Sequence, residues 1–161
     1  MSPIPYADAL GGRDPLAVMA ATPAALEPLV ERALAKFGPD APLAQGKWSL
    51  RQVMAHLADC EVAWGWRLRQ AYGSDHAVLQ PFDQDAWAKI YPTTYTLEEA
   101  RALYAPLRAW NVAFLRGLSA TERNRAVTHP ERGEETLWTI AEIAAGHDLH
   151  HLAILERQVK A

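Results

Sequence analysis

The segment GHDLHHLAIL, residues 146–155, carries histidines at a spacing that suits metal binding. His147 and His151 are four residues apart, so on a helix their side chains lie on one face, one turn above the other. Two imidazoles placed in this way can bind a single metal ion, as the helical His-x-x-x-His pairs of metalloenzymes do. A chain with six histidines also produces this spacing by chance, so the pair alone does not identify a site.

A third histidine lies in another segment with helical periodicity, WSLRQVMAHLADCEVAWGW. The apolar stripe of that segment consists of Val53, His56, Leu57, Cys60 and Trp64. If both segments are helices that face one core, His56 meets His147 and His151 there. Buried imidazoles need partners and resist protonation, and a divalent cation meets both requirements because it takes neutral lone pairs. Three separately hydrogen-bonded or partly solvated histidines are the alternative, and both hypotheses remain open at this point.

Three neutral imidazoles leave a first-row transition metal with at least one open coordination position. That arrangement is typical of catalytic zinc sites, since structural sites are closed by four protein ligands. Zinc, nickel and iron all suit imidazole, so the identity of the metal stays open among them.

Several polar side chains flank these histidines. Asp59 follows His56 by three residues and could orient a histidine or a bound water, although a surface aspartate fits the pattern equally well. His150 and Asp148 are turned away from the inward face, and His150 is a further candidate for orienting a ligand ring or relaying a proton. We expect Asp148 to be solvated or to orient a ligand, and Cys60 to be a buried thiol rather than a fourth ligand.

Helical periodicity predicts four long helices that would position these residues. The first is preceded by a short helical turn and begins at Pro23, capped by Thr22; Gly38 follows its end. The other three cover residues 50–72, 97–118 and 136–160. Ser49 with Gln52, and Thr96 with Glu99, form capping boxes at two of the starts, while Pro106 should kink the third long helix.

The chain shows no repeat and no segment with the two-residue alternation of a strand. We predict a single domain over residues 1–161, with an irregular lead-in at 1–13. Residues 73–95 connect the second and third long helices, and a connection of this length can return the chain to the end that it left. The prediction is therefore an all-α, four-helix bundle in which these two helices run parallel. His76 and His129 fall in connectors and are expected to be solvated.

Composition excludes some classes of partner. The formal net charge is -3 and the basic residues are scattered, which gives no attraction to nucleic acid. The single cysteine cannot form an internal disulfide, and the chain shows neither a signal peptide nor an apolar run long enough to span a membrane. The expectation is a cytoplasmic protein that acts on a small molecule.

Five segments in order resemble the DinB/YfiT-like family of bacterial proteins: GKWSLRQVMAHLADCE, FDQDAWA, LRAWNVAFLRGLS, HPERGEETL and GHDLHHLAIL. The resemblance extends from about Asp14 to the C-terminus. It implies a four-helix bundle with down-up-up-down topology, often a homodimer, with a metal triad at His56, His147 and His151. Many relatives have a glutamine where this chain has Ile154, which puts any polar contact from that position in doubt.

The resemblance also implies an activity. Relatives include transferases that use low-molecular-weight thiols such as bacillithiol or mycothiol, and a thiol-dependent maleylpyruvate isomerase. The expected function is therefore a metal-dependent transferase in which a thiolate attacks an electrophilic small molecule. A metal-dependent hydrolase that uses the same histidines is one alternative. A non-catalytic, stress-linked ligand-binding or scaffold protein is the other.

Overall fold

Four long helices form a bundle in the computed structural model, which describes residues 4–160. In chain order the elements are α1 (Ala7–Leu10), α2 (Pro15–Phe37), α3 (Leu50–Gly73), β1 (Ala77–Val78), α4 (Gln84–Ala88), α5 (Tyr91–Thr94), α6 (Leu97–Arg116), α7 (Ala120–Arg123), β2 (Ala126–His129), β3 (Gly133–Thr136) and α8 (Leu137–Lys160). The long helices are α2, α3, α6 and α8. No helix within residues 4–160 combines the length and apolar character that crossing a bilayer requires.

The helices pair as α2 with α8 and α3 with α6. The second pair is parallel, because Tyr72 at the end of α3 packs on Phe114 at the end of α6, with ring centroids 5.6 Å apart. In the first pair Lys36 of α2 donates to the carbonyl of Gln158, near the end of α8. The long connection through β1, α4 and α5 makes the parallel α3–α6 arrangement possible, and the predicted down-up-up-down bundle is confirmed.

Both predicted capping boxes are present. The Ser49 amide donates to Gln52 Oε1 at 2.9 Å, and the Gln52 amide donates back to Ser49 Oγ at 3.3 Å. Thr96 and Glu99 make the same reciprocal pair at 2.8 and 3.1 Å. Each box satisfies amides that a helix start leaves without a partner, which fixes where α3 and α6 begin.

The predicted start of the first long helix is wrong. Helix α2 begins at Pro15, where Asp14 caps it by accepting from the Leu16 amide, and it continues through Pro23 and Pro28. Thr22 is buried inside α2, and its hydroxyl donates to the Val18 carbonyl at 2.8 Å instead of capping a new helix. A continuous buried face outweighs the backbone hydrogen bonds that the prolines remove. Helix α6 likewise continues through Pro106.

The absence of strands was also a wrong prediction. Strand β2 lies between β1, which is parallel to it, and β3, which is antiparallel to it. Strands of two to four residues are too short to show an alternating pattern in sequence. The turn from β2 to β3 uses Gly133 at φ 88°, a conformation that favours glycine.

The sheet changes the environment of His129, which is 2 % exposed at the end of β2. Its Nδ1 accepts from the Glu131 amide at 3.2 Å, and its Nε2 lies 3.1 Å from Arg132 Nη1. The expectation of a solvated histidine is therefore wrong for His129, whereas His76 is exposed as predicted.

Polar residues interrupt the core at about the middle of the bundle. Two apolar clusters fill the two ends, one with Met19, Leu68 and Ile140 and the other with Leu29, Leu57 and Leu155. Around the boundary between the two clusters lie buried polar side chains: Thr22, His56, Glu61, Arg108, Asn111, His147 and Asp148. A core that accepts this many polar groups must satisfy them internally or with a ligand.

Candidate metal centre

The structure brings together the three histidines that the sequence singled out. His56 comes from α3, and His147 and His151 come from one face of α8. The Nε2 atoms of His56 and His147 are 2.9 Å apart, and those of His147 and His151 are 3.1 Å apart. Each residue therefore offers one ring nitrogen to a common point.

These separations fit a bound metal ion. Two nitrogens that lie about 2.1 Å from a metal at tetrahedral or octahedral angles are about 3.0 to 3.4 Å apart. Without a cation the arrangement is poorly satisfied, because His147 Nε2 faces two other ring nitrogens and a single proton can join it to only one of them. A cation takes all three lone pairs at once.

The environment keeps the three imidazoles neutral. Burial lowers the pKa of His56 to about 4. Burial, with the charge of His56 as the second cause, lowers the pKa of His151 to about 3. Burial also lowers the pKa of His147 well below its usual range, and His151 and His56 add to the effect. At neutral pH the lone pairs are therefore free to bind a cation.

Aromatic side chains surround the ring nitrogens. Trp48 meets the His56 ring edge-on at 5.0 Å between centroids, and Trp64 meets His147 in the same way at 5.1 Å. Tyr6 meets His147 at 5.3 Å. Gly146 permits this last contact, because a Cβ at that position would lie 2.5 Å from the Tyr6 carbonyl oxygen. These rings shield the site from bulk water.

Two cavities that share no lining residue border the histidines of α8. The larger has a volume of about 520 Å³, borders His151 and is also lined by Lys47, Trp48, His150 and Arg157. The smaller has a volume of about 210 Å³, borders His147 and is also lined by Tyr6, Cys60, Trp64 and Arg67. A ligand could therefore approach the centre from either cavity.

Cys60 is a buried thiol, as expected, and it lies close to the centre. Its Sγ is 3.6 Å from His56 Nε2. Burial, with the neighbouring carboxylate of Glu61 as a further cause, raises the pKa of Cys60 well above its usual value. Without a bound metal the side chain is therefore a neutral thiol at neutral pH, and its Sγ is not among the ligand atoms that converge.

Of the two predicted accessory residues, only His150 lies beside the histidines. It is exposed on the wall of the larger cavity, with its ring centroid 5.6 Å from that of His151. Asp59 lines a separate cavity of about 60 Å³ with Tyr95 and Glu99. Burial raises the pKa of Asp59, and a hydrogen bond with Tyr91 opposes that shift. The structure gives Asp59 no contact through which it could orient a histidine.

The expectation that Asp148 is solvated is wrong. It is 1 % exposed, and both of its carboxylate oxygens accept from the guanidinium of Arg108 on α6, with the Nη2–Oδ1 distance at 2.8 Å. Glu61 of α3 accepts from the same guanidinium at 2.6 Å and from the side-chain amide of Asn111 at 3.0 Å. We call Glu61, Arg108, Asn111 and Asp148 the buried charge cluster.

Sequence reasoning missed this cluster, although a signal was present. Glu61 is one helical turn from Leu57 and Trp64 of the apolar stripe, and Asp148 is one turn from Ala144. A carboxylate that is taken into a core needs a cationic partner. The sequence does not show which arginine supplies it, because the pairing joins residues 40 and 47 positions apart. The cluster ties α3, α6 and α8 together directly beside His147.

Comparison with known proteins agrees with this architecture. YfiT from Bacillus subtilis, described as a candidate metal-dependent hydrolase with an unusual four-helix bundle topology, superposes with a TM-score of 0.81. It is 26% identical, and the match covers 91% of this chain and 84% of YfiT. The bundle that the sequence resemblance implied is therefore confirmed by a solved structure.

Curated relatives extend the same similarity. A protein of Oceanobacillus iheyensis, named as a candidate metal-dependent hydrolase, is 34% identical over 114 residues. A Bacillus mycoides protein with the same description is 25% identical over 114 residues. Each match covers 71% of this chain and 66% of the relative's length. The sequence profile of the DinB superfamily matches residues 17–155, which is most of the chain. The protein belongs to the DinB superfamily.

Proposed function

We propose that the protein is a metal-dependent enzyme in which His56, His147 and His151 bind a divalent transition metal through Nε2. The observation that carries this proposal is the convergence of three neutral ring nitrogens. Among residues 4–160, no carboxylate or thiol joins this group of ligand atoms, so at least one coordination position stays available to a substrate. Zinc, nickel and iron all suit this donor set.

The reaction that we propose is the transfer of a low-molecular-weight thiol to an electrophile. A bound divalent cation would favour the thiolate by lowering the pKa of a coordinated thiol. In the net reaction the sulfur forms a bond to the electrophilic carbon, and the leaving group departs with the bonding electrons and takes up the thiol proton. His150, on the wall of the larger cavity, is the candidate to carry that proton.

Two separate cavities support a reaction between two substrates. The larger cavity has room for the thiol, and Lys47 and Arg157 on its wall can pair with carboxylates of that molecule. The smaller cavity, which borders His147, then receives the electrophile. Transfer between two bound molecules needs room for both of them, whereas hydrolysis needs room for one substrate and water.

Hydrolysis is the second candidate, and the names of the relatives favour it. The Oceanobacillus and Bacillus proteins and YfiT are all described as candidate metal-dependent hydrolases. The same three histidines would serve this reaction, because a divalent cation also lowers the pKa of bound water. A non-catalytic ligand-binding role would use the same cavities without turnover. The homodimer implied by the family resemblance stays a prediction, which sedimentation would check.

Elemental analysis of protein purified without a histidine tag tests the metal. We expect about one transition-metal ion per chain, loss of that ion in His56→Ala, and no loss in His76→Ala, a change at an exposed histidine of the sheet region. Absence of metal from the wild type after incubation with zinc, nickel and iron would contradict the proposal.

Activity assays then separate the reactions. The metal-loaded protein is mixed with bacillithiol, mycothiol, glutathione or cysteine and 1-chloro-2,4-dinitrobenzene, and in parallel with 4-nitrophenyl acetate without a thiol. Thiol consumption that disappears in His151→Ala supports transfer, while ester cleavage that disappears in the same variant supports hydrolysis. Turnover in neither assay, with the metal bound, favours the ligand-binding role.

A further inference from the structure

A buried arginine forms part of the wall of the smaller cavity. Arg67 is 8 % exposed and comes from α3, as do Cys60 and Trp64 on the same wall. Its Nε and Nη2 both donate to the carbonyl oxygen of Gln80, at 3.0 and 2.8 Å, and its guanidinium lies over the Phe82 ring. These contacts fix the orientation of the side chain but supply no negative charge.

Within residues 4–160, Arg67 forms no ion pair with a carboxylate, and its Nη1 has no hydrogen-bond partner. Arg108, the other arginine that is buried to this degree, pairs with two carboxylates. Buried charges are normally paired, because removing an ion from water costs several kcal/mol. The unpaired guanidinium at the cavity wall therefore indicates that a counter-charge comes from outside the chain.

The other charges around the cavity do not supply it. Arg132 is already matched by Glu135, with the Nη2–Oε2 distance at 2.9 Å, and it adds positive charge next to Arg67. After burial, this neighbouring charge is the next cause that lowers the pKa of Arg67, while Cys60, Glu135 and Glu131 oppose the shift. Glu131, the only acidic residue among the described lining residues, is exposed at the rim. Of the two arginines that line the cavity, only Arg67 therefore lacks a carboxylate within ion-pair distance among the described residues.

We propose that this cavity binds a small substrate through its carboxylate group, which pairs with the free edge of the Arg67 guanidinium. A planar guanidinium fork matches a carboxylate in both shape and charge. The aromatic rings of Tyr6, Trp64 and Phe82 provide the apolar walls for the rest of the molecule, and a volume of about 210 Å³ admits a single ring or a short chain. The inference rests on the proposed function, since it places the far end of the substrate against the histidines.

Benzoate and benzamide are matched probes for this subsite, because they have the same shape and differ in charge. Each is titrated by calorimetry into the metal-free protein and into the zinc-loaded protein. We expect benzoate to bind at least about tenfold tighter than benzamide in both forms, as a charge-assisted pair in a buried site does. In Arg67→Met the ratio of the two dissociation constants should fall to about one.

Two further variants serve as controls. Arg116→Met removes an exposed arginine from the last turn of α6, away from the cavity, and should leave the ratio unchanged. Arg67→Lys retains the charge without the planar fork, so the ratio should fall several-fold but not to one. If Arg67 served only to support the Gln80 loop, its replacement would lower the unfolding midpoint and weaken both probes equally.

Three results would overturn the subsite: equal affinities for the two probes in the wild type, no benzoate binding at millimolar concentration, or an unchanged ratio in Arg67→Met. Benzoate that binds only the zinc-loaded protein would also overturn it, because the anion would then be a metal ligand. If zinc fails to bind but the ratio still depends on Arg67, the subsite stands while the proposed enzyme function fails.

Discussion

Two groups of polar residues lie side by side in the core, and they differ in whether the chain itself supplies their binding partners. The histidine centre and the buried charge cluster use neighbouring residues of the same two helices: His56 and Glu61 on α3, and His147 and Asp148 on α8. Both are hidden from water, apart from the partly exposed His151. In the charge cluster the carboxylates pair with Arg108, whereas in the histidine centre the ring nitrogens face one another.

Hydrogen bonding shows the difference directly. Both carboxylates of the charge cluster accept from Arg108, and Glu61 also accepts from Asn111. In the histidine centre, the Nδ1 atoms of His147 and His151 are buried without a partner among the described residues, and the Nε2 atoms converge on one another. The charge cluster, in which Arg108 Nε is the one buried side-chain atom without a partner among the described residues, serves the fold. The histidine centre, whose ring nitrogens converge, is suited to bind a ligand.

The largest effect should follow from opening the charge cluster. Arg108→Met leaves two carboxylates buried without a counter-ion, and we expect the free energy of unfolding to fall by about 3 to 5 kcal/mol. Arg101→Met, which removes a partly exposed arginine that pairs with Glu27 and Glu31, should cost less than about 1 kcal/mol. Urea unfolding of the metal-free proteins measures both. Equal losses in the two variants would mean that the buried cluster is no more important than a surface pair.

Metal binding should complete the histidine centre and stabilise the fold. At a free zinc concentration of about 100 times the dissociation constant, the free energy of unfolding should rise by about 2.7 kcal/mol in the wild type. The increase should be absent in His147→Ala and retained in His76→Ala. Parallel urea titrations with and without zinc give the comparison. A similar gain in His147→Ala would place the metal elsewhere.

Proton binding by the histidine centre should change the free energy of unfolding by a smaller amount than metal binding does. The folded-state pKa values of His56 and His151 are about 4 and 3, below the usual 6.5, so the unfolded chain takes up protons first as pH falls. The stability that these groups contribute is present above about pH 6.5 and is lost as pH falls toward 4. Between pH 7 and 6 we expect the metal-free protein to lose about 1.4 kcal/mol from the two groups together.

The contribution of one group is isolated by His56→Gln. In this variant the loss of stability between pH 7 and 6 should be smaller than in the wild type, as measured by thermal unfolding in the presence of a chelator. An identical pH dependence in the two proteins would show that the buried histidines do not titrate as their environment requires.

The smallest structural effect is expected at His150. Because this side chain is exposed on the cavity wall, His150→Ala should change the free energy of unfolding by no more than about 0.5 kcal/mol and leave the metal content unchanged. If it carries the thiol proton, the rate of thiol consumption should nevertheless fall. Loss of metal in this variant would instead make His150 a ligand.

The sequence predicted the bundle because its strongest signals are local. The capping boxes at Ser49 and Thr96 and the helical spacing of His147 and His151 depend on residues within one or two turns, so a single segment is enough to recognise them. Thr22 shows the limit of local signals. It has the residue type of a cap and precedes a proline, but the buried face of α2 continues past it.

Such local signals do not reveal contacts between residues that are far apart in the sequence. The place of His129 in the sheet depends on hydrogen bonds between short strands, and the burial of Asp148 depends on an arginine 40 positions away. Arg67 is a third case. Its sequence neighbourhood gives no sign that it lines a cavity beside the histidines, because the loop at Gln80 and the residues of β2 complete that wall.

X-ray absorption spectroscopy of the metal-loaded wild type tests the central claim most directly, because it reads the donor atoms around the metal. The account predicts about three imidazole nitrogens at roughly 2.1 Å together with oxygen or nitrogen from exogenous molecules, and no sulfur in the absence of an added thiol. A sulfur at roughly 2.3 Å that disappears in Cys60→Ser would contradict it. Cys60 would then close the coordination sphere, and the position reserved for a substrate would not exist.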